Sequence, residues 1–224
     1  MADIEKVIDP ELREKYEFYD WNNALDILIG SFPEEWDEIK ECLREFEIET
    51  TELLMKGGNK SNIPKKIDAL LFPRDWKEMK IKGDLYLVYQ VRSKRDGKYS
   101  KDSEALIEGY VNGHNIDFVK NKVALDVEWN SKDQTFDRDL LAMRSYHECK
   151  VISVGVILTR SEELNEVFKN LTYKTSKGVE KPLSSKYGKS TTEMSKLLCR
   201  LEDRRNGGCP ILAIGIRKGC IVER

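Results

Sequence analysis

Val123-Ala124-Leu125-Asp126-Val127-Glu128-Trp129, with Ile116-Asp117-Phe118 just upstream, is the stretch on which the reading of this chain turns. As a strand it alternates strictly. Val123, Leu125, Val127 and Trp129 share one face, and Ala124, Asp126, Glu128 and Asn130 share the other. An all-apolar face belongs against a core, so the strand lies well inside a sheet. Its other face carries two carboxylates about 7 Å apart, two strand rises of about 3.3 Å each. Asp117 adds a third acid close by. Gathered carboxylates repel one another unless something positive sits among them. Hard oxygen donors suit Mg²⁺, which takes one or two carboxylates together with waters and phosphate oxygens. The spacing D-x8-D-x-E thus points to a metal-dependent phosphodiester site. The plainer alternative is an acidic, solvated strand face with no ligand.

At 224 residues the chain is long enough for one sizeable core. No apolar run reaches about 18 residues and the first twenty are acidic, so neither a membrane span nor a secretory signal is expected. A cytoplasmic protein of one domain, residues 1–224, is the expectation. The five cysteines (Cys42, Cys149, Cys199, Cys209, Cys220) contain no C-x-x-C pair, which argues against zinc and disulfide frameworks. Most read as buried small hydrophobes. Only His114 and His147 are available for histidine chemistry, and His114 alone lies near the acidic motif. The net charge of −2 hides a gradient. Residues 1–55 hold 17 acids against 5 bases, whereas residues 169–224 hold 13 bases against 5 acids. A basic end of this kind suits a polyanion, or is a solvated surface.

Around the motif, helical spacing predicts helices over 3–20 (broken at Asp9-Pro10), 34–55 and 65–76, with Lys56-Gly57-Gly58-Asn59 ending the second. Asp84–Val91 reads as a strand, followed by a basic loop, RSKRDGKYSKDS, and a helix from about Ser103 to Tyr110. Further helices are predicted over 136–149, 161–169 and 191–203, the last opened by a Ser190-x-x-Glu193 capping box. Val151–Thr159 and Pro210–Ile216 are nearly continuous apolar runs, as expected of strands covered on both faces. Strands alternating with helices give an α/β fold with a central mixed sheet.

The ordered set NIDFVKNKVALDVEWNSKDQTF, then KVISVGVILTRSEEL, with PEEWDEIKE before them and SSKYGKSTTEM and RRNGGCPILAIGI after, resembles the type II restriction endonucleases of the BglII/BstYI group, within the PD-(D/E)XK nuclease superfamily. The likeness covers most of the chain and is weakest over 77–112. It implies a restriction-endonuclease-like fold and a homodimer acting on palindromic double-stranded DNA with Mg²⁺, without a small-molecule cofactor. By this resemblance Asp117 is the first metal-binding acid. Asp126 is the second, shorter than the group's usual Glu, and the Val127 carbonyl completes the sphere. Glu128 stands where the superfamily commonly has Lys and near relatives have Gln; a Glu there is similar to BamHI. Its role stays open between proton acceptor and second metal ligand. DNA contacts implied are Asn130, Ser131 and Lys132, then Ser184, Ser185 and Lys186, and finally Arg204, Arg205 and Asn206. The last three also read simply as a helix C-terminus. Helix 136–149 would take part in the two-fold interface. Two other readings share the motif: a repair or junction nuclease of the same superfamily, and a DNA-binding relative without activity.

Overall fold

The computed structural model describes residues 3–55, 62–175 and 178–223. The predicted stop at Lys56–Asn59 lies outside them. In chain order the elements are α1 (Ile4–Val7), α2 (Pro10–Lys15), β1 (Tyr16–Trp21), α3 (Ala24–Ser31), α4 (Pro33–Glu45), β2 (Ile48–Glu49), α5 (Thr50–Leu54), α6 (Asn62–Leu71), β3 (Lys77–Met79), β4 (Lys82–Arg92) and β5 (Tyr99–Asn112). Then follow β6 (Ile116–Lys120), β7 (Val123–Glu128), α7 (Thr135–Glu148), β8 (Val154–Arg160), α8 (Leu164–Asn170), β9 (Thr172–Lys174), β10 (Glu180–Pro182), α9 (Met194–Glu202), β11 (Ile211–Ile216) and β12 (Ile221–Val222).

Six strands form the central sheet in the order β1-β11-β8-β7-β6-β3. β7, β8 and β11 run parallel, and the flanking pairs are antiparallel, so the sheet is mixed as expected. The three parallel strands are buried at every position. Their alternation sorts side chains into two cores. Val123, Leu125, Val127 and Trp129 join Val154, Val156, Leu158, Leu212 and Ile214 on the face covered by α2, α3, α4 and α6. Ala124, Ile157, Ile211 and Ala213 meet α7 and α9 on the other. At Gly155 no side chain would fit: a Cβ there would lie 2.5 Å from Met143 Sδ and 2.8 Å from Ile211 Cδ1. This glycine lets α7 approach the sheet.

Three predicted helices are corrected. The first ends at Lys15, and Tyr16–Trp21 instead forms the edge strand β1, paired residue by residue with β11. Tyr16 and Phe18 point inward, a period of two that the helical pattern of the preceding residues masks. The second is divided by β2 into α4 and α5. The span Ser103–Tyr110 is strand: a turn at Ser93–Lys98, with Gly97 at φ +71°, folds β5 back along β4. Pairing distant in sequence overrides local preference there. The predicted capping box is also absent. Glu193 is the N-cap of α9 with no side-chain capping bond, because its carboxylate is held by Asn165 and Lys196. Cys42, Cys209 and Cys220 are buried, Cys149 and Cys199 are exposed, and all five are free thiols. Among the described residues no helix is long and apolar enough to cross a membrane.

Candidate active site

The site arises where the β6–β7 ladder opens. Pairing runs from Lys120↔Val123 through Phe118↔Leu125 and would next set Asp117 opposite Asp126. There side chains replace the backbone partners. Asp117 N–H donates to Asp126 Oδ1 at 2.8 Å, and Val127 N–H donates to Asp117 Oδ2 at 3.2 Å. The two strand ends are thus held together by the two acids.

Asp126 is 4% exposed and its Oδ2 has no partner among the described residues. Burial, then the Asp117 and Glu128 carboxylates, raise its carboxyl to about 8. Asp117 stands at the open rim of the site. The protein wall beside it, followed by Glu128, Asp68 and Glu78, raises its carboxyl as well. Glu128 is buried and turned toward α7, with Oε2 accepting from Thr135 Oγ1 at 3.1 Å and Oε1 lying 3.5 Å from Arg138 Nη2. Its carbonyl accepts from Thr159 Oγ1 at 2.8 Å and Thr192 Oγ1 at 3.2 Å, which fixes the end of β7. Among the described residues, no three acidic, His or Cys side chains are gathered tightly enough to enclose a metal ion. Asp117 and Asp126 do offer what an ion would use: facing carboxylates, one with a free buried oxygen.

Two contributors on α7 were missed in the sequence. Asp139, 1% exposed on α7, sets another carboxyl group in the same region and is raised to about 9 by burial, Glu128 and Asp126. Arg138 reaches back to Asp139 Oδ1 at 3.0 Å as well as to Glu128. The signal was present: Phe136, Asp139, Leu140 and Met143 follow i, i+3, i+4, i+7, so a carboxylate falls on a buried stripe. Asp68 and Glu78 likewise carried no motif. His114 is exposed, and its carbonyl accepts from Tyr146 Oη.

The segments expected at DNA are distributed unevenly. Loop 130–133 and the segment before α9 are joined: Thr192 N–H donates to Ser131 O, Asp133 N–H to Ser190 O, and Lys132 bridges Thr191. Asn130 Oδ1 is buried with no partner among the described residues, and Lys132 is exposed. Ser185 Oγ donates to Pro182 O, while Ser184 is half-buried beside it. Lys186 Nζ is directed away, donating to Leu53 O and Met55 O. In the turn after α9, Arg205 pairs with Asp137 and Asp203, and Asn206 is buried with its amide on Cys209 O. Arg204 is exposed at φ +59°, with no ion pair among the described residues. The arrangement therefore sets an acid cluster at the open end of the β6–β7 ladder beside a polar rim built by two joined loops.

No curated protein matches the chain. A family model described as restriction endonuclease BglII/BglIII matches residues 16–216, from the first residue of β1 to the last of β11. That span contains the whole central sheet and every acid of the site, and the chain belongs to the BglII/BglIII restriction endonuclease family.

Proposed function

We propose that the chain is a Mg²⁺-dependent type II site-specific deoxyribonuclease, one catalytic domain over residues 1–224, acting in a prokaryotic cytoplasm as a homodimer. It would cut both strands of a short palindrome, since a two-fold duplex site asks for two symmetric active sites. One observation carries this reading. In a restriction endonuclease family chain, Asp126 is buried against Asp117 with an oxygen that has no partner among the described residues. A buried acid in that state costs stability, and a divalent cation is the partner that removes the cost.

Asp117, Asp126 and the Val127 carbonyl would hold Mg²⁺, which when bound lowers the pKa of a water and offsets charge on the phosphate. Glu128 stands ready as proton acceptor or as ligand of a second ion, held in place by Thr135 and Arg138. Lys132 and Arg204 supply exposed cations for phosphates, and Asn130 and Ser131 stand on the rim where base edges would pass. Ser184 and Ser185 stand on the neighbouring segment, and Lys186, Arg205 and Asn206 would have to leave their present partners to join them. Helix α7, carrying Arg138 and Asp139, would lie near the two-fold axis.

The test is digestion of plasmid with Mg²⁺, against EDTA and Asp117→Ala. Discrete fragments are expected only with wild type and metal. Intact plasmid over a range of sequences and salts sinks the nuclease reading, and cleavage confined to branched substrates turns it into a junction nuclease. Titration of metal into wild type and Glu128→Gln then separates the two roles of Glu128: loss of one ion marks a ligand, and an unchanged count marks the proton acceptor.

A further inference from the structure

Three consecutive residues lead from the acid site to its rim. Glu128 ends β7, Trp129 is 2% exposed, and Asn130 opens the loop that Ser131 and Lys132 continue. Thr192, fully buried on the segment before α9, touches both ends of this passage. Its N–H donates to Ser131 O at 2.9 Å, and its Oγ1 donates to Glu128 O at 3.2 Å. The second bond is long for two oxygens, so a shift of about half an ångström releases it. Thr159 Oγ1 donates to the same carbonyl at 2.8 Å, but from β8, where Thr159 lies opposite Glu128 in the parallel register. One hydroxyl therefore holds the end of β7 from the sheet, and the other holds it from the rim.

Thr192 has a fixed seat of its own. Beneath it lies Arg160, fully buried, whose Nε donates to Thr192 O at 2.6 Å, Nη2 to Thr191 Oγ1 at 2.6 Å and Nη1 to Asn165 Oδ1 at 3.1 Å. The guanidinium lies over the Phe168 and Tyr187 rings, and Tyr187 meets Trp129 edge-on with centroids 5.8 Å apart. A buried guanidinium is costly to desolvate, and an apolar cluster in its place is often as stable or more so. What the charge supplies is geometry: a planar fork of donors fixes residues 191 and 192 in one position. The rim loop is joined to the same segment, with Lys132 bridging Thr191 and Asp133 N–H donating to Ser190 O. The two segments therefore shift together or not at all.

We propose that Thr192 is a positioning residue through which the fit of loop 130–133 on DNA sets Glu128, so that the rate of cleavage, and not binding alone, depends on base sequence. The inference rests on the nuclease reading of the site, with base edges passing the rim. With the loop seated on its correct bases, Ser131 O stays under Thr192 N–H and the hydroxyl keeps the Glu128 carbonyl in line. Arg160 defines that seat. A wrong base pair displaces the joined segments, Thr192 goes with them, and its hydroxyl leaves the carbonyl. Glu128 is then held by Thr159 alone at the root of a displaced loop. A misplacement of about 1 Å at a reacting group can cost about a hundredfold in rate, which is ample for discrimination.

Thr192→Val keeps the shape and both backbone bonds and removes only the hydroxyl, whereas Thr192→Ser keeps the hydroxyl. Thr159→Val removes the other hydroxyl on the same carbonyl. The probes are short duplexes carrying the sequence found at wild-type fragment ends, and the same duplexes with one base pair changed. Single-turnover rates are measured with Mg²⁺ and affinities with Ca²⁺. Thr192→Val should melt within about 4 °C of wild type, since one buried hydroxyl bond is lost. It should bind the correct duplex within about threefold of wild type and cut it at least about 30-fold more slowly. The changed duplexes should slow by less than about threefold, so the ratio of correct to changed rates falls about tenfold. Thr192→Ser should restore that ratio, and Thr159→Val should slow both kinds of duplex alike. Thr192→Ala repeats the measurement without a methyl group against the carbonyl, and should give the same fall. An unchanged ratio in the Val and Ala variants overturns the proposal, as does a fall that Ser does not restore or one that Thr159→Val shows equally. A wild type that leaves every duplex intact ends the nuclease reading and this one with it, whereas a cutting wild type with an unchanged variant ratio ends this one alone.

Discussion

Replacing Asp126 with Asn should make the metal-free protein more stable while removing its activity. The carboxyl is raised from 3.8 to about 8, first by burial and then by Asp117 and Glu128. The folded state therefore holds a proton that the unfolded state releases above about pH 4. A group raised in this way contributes stability that is complete below the unfolded value and is lost as pH climbs through the folded one. At pH 7.5 the unfolded chain gains nearly four pH units of ionisation that the folded chain cannot, and at about 1.4 kcal/mol per unit the upper bound is about 5 kcal/mol. At pH 5 the same arithmetic leaves about 1.6 kcal/mol. Asn keeps the oxygen that accepts from Asp117 N–H and turns an amide donor toward the acids. With neighbouring acids sharing the relief, the gain should be about 2–5 kcal/mol, or about 5–15 °C in melting temperature for a chain of this size. Calorimetry in EDTA at pH 7.5 and pH 5 measures it: the variant should melt higher at the first pH, with a smaller difference at the second. Mg²⁺ should then raise the melting temperature of wild type and leave the variant unmoved. A variant that melts at or below wild type in EDTA at pH 7.5 would refute the reasoning.

Gly155→Ala should destabilise by about 1–3 kcal/mol, because its Cβ would collide with Met143 and Ile211 in a filled interior; denaturant midpoints measure this. Arg160, fully buried, donates to Thr192 O at 2.6 Å and to Asn165 Oδ1 at 3.1 Å, and lies over the rings of Phe168 and Tyr187. Arg160→Met should cost about 3–5 kcal/mol by stranding those partners and Glu193, read from chemical unfolding, and should raise hydrogen exchange at Thr191 and Thr192. Arg204→Ala should leave melting unchanged and lower the salt slope of DNA binding by about one, whereas a slope equal to wild type would remove Arg204 from the interface.

How far the fold could be read depended on whether one face alone decided the matter. β7, β8 and β11 were legible because their apolar residues continue or alternate over a strand's length, and each side chain lies in the core its parity assigns. β1 was not, since Tyr16 and Phe18 acquire a two-residue period only once β11 is beside them. β5 failed for a related reason. Ala105-Leu106-Ile107 is apolar on successive residues, so it supports neither period, and its partner strand lies across a turn. For the site, Asp117 and Asp126 were found as a spaced motif and the structure sets them face to face. Glu128 lies on the face that meets α7, where Thr135 and Arg138 hold its carboxylate, and those partners are residues that spacing along one strand cannot reveal.

The same geometry explains why the cluster is left strained. Asp117 and Asp126 could have been relieved by a lysine at position 128, which would set a cation beside them. Glu128 instead adds a third carboxyl group, and Asp139 a fourth, beside the half-exposed guanidinium of Arg138. Apolar residues at these positions would make a more stable end to the β6–β7 ladder. Under the proposed function, that cost is recovered when a divalent cation binds at the acids. Stability withheld in the free chain then becomes affinity for what completes the site.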